Sequence, residues 1–201
     1  LGASLIALIS GCSQQKEEVA ASDINVGIIL GFTGPIESLT PTMASSAEMA
    51  FKDATDEGVL NGSTLNPVRA DSTCIDSAAA TAATERLITA EKVNAIVGGD
   101  CAGVTTAMLE NVAVANGTVM ISPSATSPAL STVADDGLFF RTAPSDARQG
   151  VVMTEVLMDQ GIKSVAVTYT NNDYGKGLAD AFQSAYEAAG GTITILSLIN
   201  I

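Results

Sequence analysis

The sequence predicts an α/β fold in which a parallel sheet is covered by helices on both faces. Three observations carry this. Short β-rich runs recur from Asp23 onward, and segments with helical spacing separate them. The runs are also apolar almost throughout, which is the pattern of strands buried on both faces.

The elements follow in order. "INVGIIL" at 24–30 reads as the first strand, and Met43, Ala47, Ala50 and Ala54 then recur on one face of a helix that Gly58 ends. "LNPVRA" at 65–70 is the next strand, and Asp76 caps a second helix marked by Ala80, Ala83, Leu87 and Ala90. "NAIVGG" at 94–99 and "TVMIS" at 118–122 are further strands. "LFFRTAPSD", Leu138 to Asp146, is extended with no helix ahead of it, which suits a crossing into a second lobe that starts near Asp146. That lobe holds a helix at about 148–160 and a strand "SVAVTY" at 164–169. Its second helix, N-capped by Asp173, runs through Leu178, Ala181, Phe182, Ala185 and Ala189 and stops at Gly190-Gly191 before the strand "TITILSL" at 192–198. A doubly wound lobe normally has more elements, so the C-terminus reads as truncated. The expected organisation is a leader and tether at 1–22, a first lobe at 23–142 and a partial second lobe at 143–201.

Composition narrows the function. The 201 residues are 47% hydrophobic and 15% charged, too apolar for a disordered chain. With 9 basic against 22 acidic residues the net charge is −13, which repels phosphate backbones and excludes nucleic acid as the expected partner. The chain has no histidine, so the usual neutral-pH base and the commonest metal ligand are missing. No cofactor is implied. Leu1 to Ile9 is apolar, Ser10 and Gly11 are small, and Cys12 opens a polar tract, the pattern of a secretory signal. "ISGC" resembles a lipobox, which implies lipid attachment at Cys12. An ordinary signal peptide with a chance cysteine, or part of a membrane anchor, is the alternative. Cys74 and Cys101 remain, and an even pair in an exported chain favours a disulfide over two free thiols or a metal pair.

Ligands of an open parallel sheet sit beyond the carboxyl ends of its strands. Four loops occupy that edge: "GFTGPIESL", "GGDCAGVTT", "SPSATSP" and "TNNDYGKG". Their hydroxyls and backbone amides suit a small anion, and Pro123 and Pro128 pre-order one of them, which lowers the entropy lost on binding. Read alone, Ser124 and Thr126 serve equally well as turn caps, Tyr174 as a packing residue and Asp100 as a solvated loop residue. A hydrolase using Ser124 or Cys101 finds no histidine to activate it and no G-x-S-x-G elbow.

From Ile24 to Leu198 the chain resembles the periplasmic substrate-binding proteins of branched-chain amino-acid ABC transporters. The resemblance rests on "VGIILGFTGP", the helix leading to "EGVLNG", the cysteines of "DSTC" and "GGDC", "MISPSATSPAL", "FRTAPSDARQG" and "NDYGKGLADAF", in that order and spacing. It implies a two-lobed type I periplasmic-binding-protein fold that closes on an amino acid or similar polar solute without a catalytic step. It implies an extracytoplasmic protein, lipid-anchored if the lipobox reading holds at Cys12, that delivers the solute to an ABC permease; a sensor domain of the same fold coupled to a signalling partner is the alternative. By the same resemblance Ser124 and Thr126 hold the ligand carboxylate, Tyr174 closes from the second lobe, and Cys74 pairs with Cys101 beside the pocket. Ala102 replaces a carboxylate-binding serine, and Leu39 falls where an aromatic often covers the ligand. Asp100 stands where branched-chain binders carry an apolar pocket residue, and a carboxylate there favours a cationic or polyhydroxyl ligand over leucine.

Overall fold

The computed structural model describes residues 21–200, so the lipid-attachment expectation at Cys12 lies outside the described residues. In chain order the elements are β1 (Asp23–Leu30), α1 (Thr40–Asp56), β2 (Thr64–Asp71), α2 (Ser77–Thr89), β3 (Ala95–Gly98), α3 (Ala102–Met108), β4 (Val119–Ser122) and β5 (Phe139–Arg141). After the crossing come α4 (Asp146–Asp159), β6 (Ser164–Thr170), α5 (Asp173–Ala188) and β7 (Thr192–Ile199). The first five strands form one sheet in the order β2-β1-β3-β4-β5, and β6 and β7 form a second. Every strand pair is parallel.

The alternation of β1 explains both faces of the first sheet. Successive side chains of a strand point to opposite faces. Ile28 and Leu30 pack with Ala44, Met43, Ala47 and Phe51 beneath α1, whereas Ile29 joins Leu87, Ile96, Val104, Met108 and Met120 on the side of α2 and α3. A strand buried on both faces must be apolar throughout, as expected.

Local signals set most helix ends. Asp76 Oδ1 accepts from the amides of Ala78 and Ala79, each at 3.0 Å, so the expected cap of α2 is present. Asn172, not Asp173, caps α5: its Oδ1 accepts from Gly175 N at 2.8 Å, and Asp173 is the first helical residue. Both residue types serve as N-caps, and only the backbone decides which one keeps extended geometry. The segment after β3 carries no clear helical period in the sequence. It folds as α3, a π-helical turn at Leu109–Ala113 and a 3-10 turn at Val114–Asn116, a change of pitch that blurs any 3.6-residue repeat. The extended run at Leu138 contributes β5, which pairs with β4 and completes the first sheet before the crossing. Among the described residues no helix is long and apolar enough to cross a membrane.

In the second lobe α4 and α5 lie against each other. Phe182 and Tyr186 of α5 are buried and stack with ring centroids 5.2 Å apart, and the Tyr186 hydroxyl donates to Ile162 O at 2.9 Å. A Cβ on Gly150 of α4 would fall 2.8 Å from the backbone of Ala181 and Phe182, so glycine permits this close helix contact. Gly150→Ala is expected to cost about 1–3 kcal/mol through forced separation of the helices, despite the better helix propensity of alanine. Urea unfolding followed by circular dichroism measures it, and an unchanged midpoint contradicts the close packing.

Candidate functional site

All strands of the first sheet run parallel, so their carboxyl ends gather the loops at Gly31, Ser72, Asp100 and Ser122 along one edge. The Asp100 carboxylate joins them. Its Oδ2 accepts from Gly31 N at 2.6 Å, and its Oδ1 accepts from Ser72 Oγ at 3.2 Å and Cys101 N at 3.0 Å. Its backbone carbonyl accepts from Ser124 Oγ at 3.0 Å. Four loops are thus tied to one residue that is only 4% exposed. The expectation gives Asp100 a charge that faces a ligand, and the structure buries that carboxylate among donors of the fold. The carboxylate is inside the rim, and three donors of the fold already occupy it.

Two further groups brace the same edge. Ser122 Oγ donates to Gly99 O and accepts from Ala125 N at 2.9 Å, which shapes the turn carrying Ser124. The Asp71 carboxylate accepts from Thr33 Oγ1 at 2.6 Å and from Thr73 N at 2.8 Å, fixing the loop after β1. Burial pulls the Asp71 carboxyl up, but the hydrogen bonds from Thr33 and Thr73 outweigh it and hold the group below its ordinary value.

Cys74 and Cys101 form a disulfide with Cα atoms 5.2 Å apart, which joins the loop after β2 to the residue that opens α3. Cys101 offers no side-chain acceptor to that helix, so the first-turn amides of α3 have no capping side chain. Ala102 lies in this first turn and is buried. Leu39 precedes α1 and is exposed.

The hydroxyls expected to hold a carboxylate both point their protons inward. Ser124 donates to Asp100, and Thr126 Oγ1 donates to Asp146 Oδ2 at 3.1 Å. In this geometry each presents lone pairs outward in place of a proton. Asp146, the first residue of α4, also donates its amide to Thr126 O at 2.9 Å, so the β4 loop and the second lobe meet through a paired contact. Burial pushes the Asp146 carboxyl up, against the pull of Thr126 and the Arg141 guanidinium. Arg141 Nη1 donates to Ser127 O at 2.8 Å and to Ala125 O at 3.2 Å, which clamps the loop from β5.

Between the lobes lies a cleft of ≈ 780 Å³, lined by Thr106, Ser127 and Pro128 of the first lobe and by Asp173, Lys176 and Asp180 of α5. Ser127 and Asp173 adjoin the expected residues Thr126 and Tyr174, which themselves do not line the cleft. Tyr174 is 46% exposed and lines a separate recess of ≈ 250 Å³ with Met153, Tyr169 and Phe182, all of the second lobe. The structure therefore joins Ser124 to Asp100 directly and sets Ala102 in the turn after Cys101, while Tyr174 lines its own recess and Leu39 is exposed ahead of α1. Sequence reasoning missed Asp146, Ser127 and Asp71. "FRTAPSDARQG" contains Asp146, but a lone aspartate at a helix start gives no sign of a partner 20 residues earlier.

A family model described as periplasmic binding protein matches residues 23–197. A Leu/Ile/Val-binding protein homolog of Brucella melitensis is 32% identical over 172 residues, which cover 85% of this chain and 46% of that protein. A chemotactic signal transduction system substrate-binding protein of Halobacterium salinarum is 32% identical over 169 residues, covering 80% and 40% respectively. The crystal structure of the branched-chain amino acid transporter substrate-binding protein LivJ from Streptococcus pneumoniae, in complex with isoleucine, matches with a TM-score of 0.76 at 28% identity, over 88% of this chain and 49% of that one. The chain thus spans about half the length of the relatives it matches.

Asp100→Asn is expected to destabilise the protein by about 1–3 kcal/mol, because an amide nitrogen would face a donor that now has a carboxylate oxygen. Urea titration checks this, and a variant as stable as the parent removes Asp100 from the role of rim anchor.

Proposed function

The chain belongs to the periplasmic binding protein family, and on that premise we propose that it captures a small solute between lobes 23–142 and 143–201 and delivers it to an ABC permease outside the cytoplasm. The observation that carries this reading is the rim at the carboxyl edge of the first sheet, where Asp100 ties the loops together and Ser124 stands two residues from Thr126, which meets Asp146 of the second lobe. A pre-ordered rim on one lobe and a helix N-terminus on the other suit a clamp whose closed state is stabilised by contacts with the bound solute.

An amino acid is the solute class we favour. The names of the relatives point to leucine, isoleucine and valine, and one matching structure holds isoleucine. Since the fold's own donors occupy Asp100, its charge no longer argues against an aliphatic side chain. The uncapped first turn of α3 and the backbone around Thr126 would receive the carboxylate, with Ser124 and Thr126 shaping that site and Tyr174 closing over it. The Halobacterium relative favours one second reading, a solute-binding protein that feeds a chemotactic partner, and co-purification with a permease or a transducer separates the two.

In a thermal-shift screen of the full chain, L-leucine or L-isoleucine should raise the melting temperature more than L-arginine, since a ligand at 100-fold its Kd adds about 2.7 kcal/mol to the folded state. A larger shift with arginine restores a charge-selecting role to Asp100, and no shift with any amino acid refutes the solute class. Lipid attachment at Cys12 is proposed from "ISGC". Cys12→Ala should release the protein from the membrane fraction of expressing cells, and unchanged fractionation excludes that anchor.

A further inference from the structure

Asp146 is 1% exposed, and its two oxygens have different fates. Oδ2 accepts from Thr126 Oγ1 at 3.1 Å, while Oδ1 is buried with no hydrogen-bond partner among the described residues. A buried ionised oxygen without a donor is unfavourable, and the neutral acid relieves that cost. The position of the proton then matters. On Oδ1 it meets no acceptor, whereas on Oδ2 it is donated to Thr126 Oγ1. A threonine hydroxyl carries one proton, so accepting from Asp146 frees that proton to point elsewhere.

We propose that Asp146 is a positioning residue that sets the hydrogen-bond polarity of Thr126: ionised Asp146 keeps the hydroxyl an acceptor toward solute, and protonated Asp146 makes it a donor. The backbone contact from Asp146 N to Thr126 O at 2.9 Å holds the two residues in register, so the exchange needs only one proton taken up from solvent at Oδ2 and rotation of the Thr126 hydroxyl. The charged groups around it are few. Arg141 of β5 acts on Asp146, but its nitrogens donate to Ala125 O, Ser127 O and Ser131 Oγ. On α4 itself Arg148 turns to Glu155 at 3.9 Å. On α5 Lys176 pairs with Asp180 at 3.5 Å, and Asp173 lies against Gly103 of α3. The Asp100 carboxylate is occupied by its own donors. The sign follows from the raised Asp146 value: the donor form of Thr126 is present at low pH and is lost as pH rises through the folded midpoint.

The coupling is testable without a ligand. In carbon-detected NMR from about pH 3 to about pH 8, the Asp146 carboxyl and Thr126 Cβ resonances should titrate with one midpoint above the ordinary aspartate value of about 3.9. Thr126→Val removes the donor to the ionised form and should move the Asp146 midpoint further up, and Thr126→Ser should restore it. Asp146→Asn should leave Thr126 without a titration. A Thr126 resonance that stays flat while Asp146 titrates, or an Asp146 midpoint unmoved by Thr126→Val, overturns the proposal; the threonine variants decide it even if Asp146→Asn fails to fold. A second arm rests on the proposed solute-binding function. L-leucine binding by calorimetry should tighten about tenfold as pH falls through the midpoint, equivalent to about 1.4 kcal/mol, and lose that dependence in Thr126→Val. If leucine binds with the same pH profile in both proteins, the proposal fails. If leucine and the other amino acids do not bind at all, the functional reading fails, and the NMR titration alone judges the coupling.

Discussion

A carboxylate buried without a cation holds the working edge of this molecule. Among the described residues no lysine or arginine donates to Asp100; three donors from three loops share its charge. Hydrogen bonds to a charged acceptor are stronger than neutral ones, and here they act where the strand ladders no longer join the loops. The ladder bonds of β1, β3 and β4 stop at the strand ends, and beyond them the chain would diverge. Asp100 converts four separate loop starts into one rim, and Ser124 adds its hydroxyl to the backbone carbonyl of the same residue.

The disulfide acts on the same rim by a different route. Cys74 to Cys101 closes a segment of 27 residues that includes α2, which restricts the unfolded chain by roughly 3–4 kcal/mol in the loop-entropy account. Asp100 selects the geometry of the folded edge, while the bridge reduces the alternatives available to the unfolded one. Together they place the first turn of α3 beside the turn after β4.

The junction between lobes is built from small contacts. Arg141 grips three acceptors of the β4 loop and its following turn, Asp146 meets Thr126 through backbone and side chain, and Gly103 leaves room for Asp173. A Cβ on Gly103 would stand 2.9 Å from Asp173 Oδ2, a side-chain tip that a small rotation would move aside. Such contacts are few and polar next to the apolar clusters inside the first lobe. That contrast is the mechanical condition for hinge motion, in which rigid bodies move about a junction that gives way before their cores do.

Much of this fold was legible in the chain itself. The near-continuous apolar run of β1, the spacing of Ala80, Ala83 and Leu87, and Asp76 at a helix start are local signals, and local signals survive into the structure because they act within a few residues. The cysteine pairing was favoured by parity and export, and the family by the order of its motifs. What no stretch of sequence could decide is the direction in which a polar group turns. The chain alone suggests that Asp100 faces a ligand, and the structure turns its carboxylate to Gly31, Ser72 and Cys101, because burial obliges a charge to find donors wherever the sheet brings them. Asp146 gained its meaning only when the crossing from β5 set it against Thr126. Composition and periodicity determined the elements, whereas the partners of each buried polar atom were chosen by the packing of segments distant in the chain.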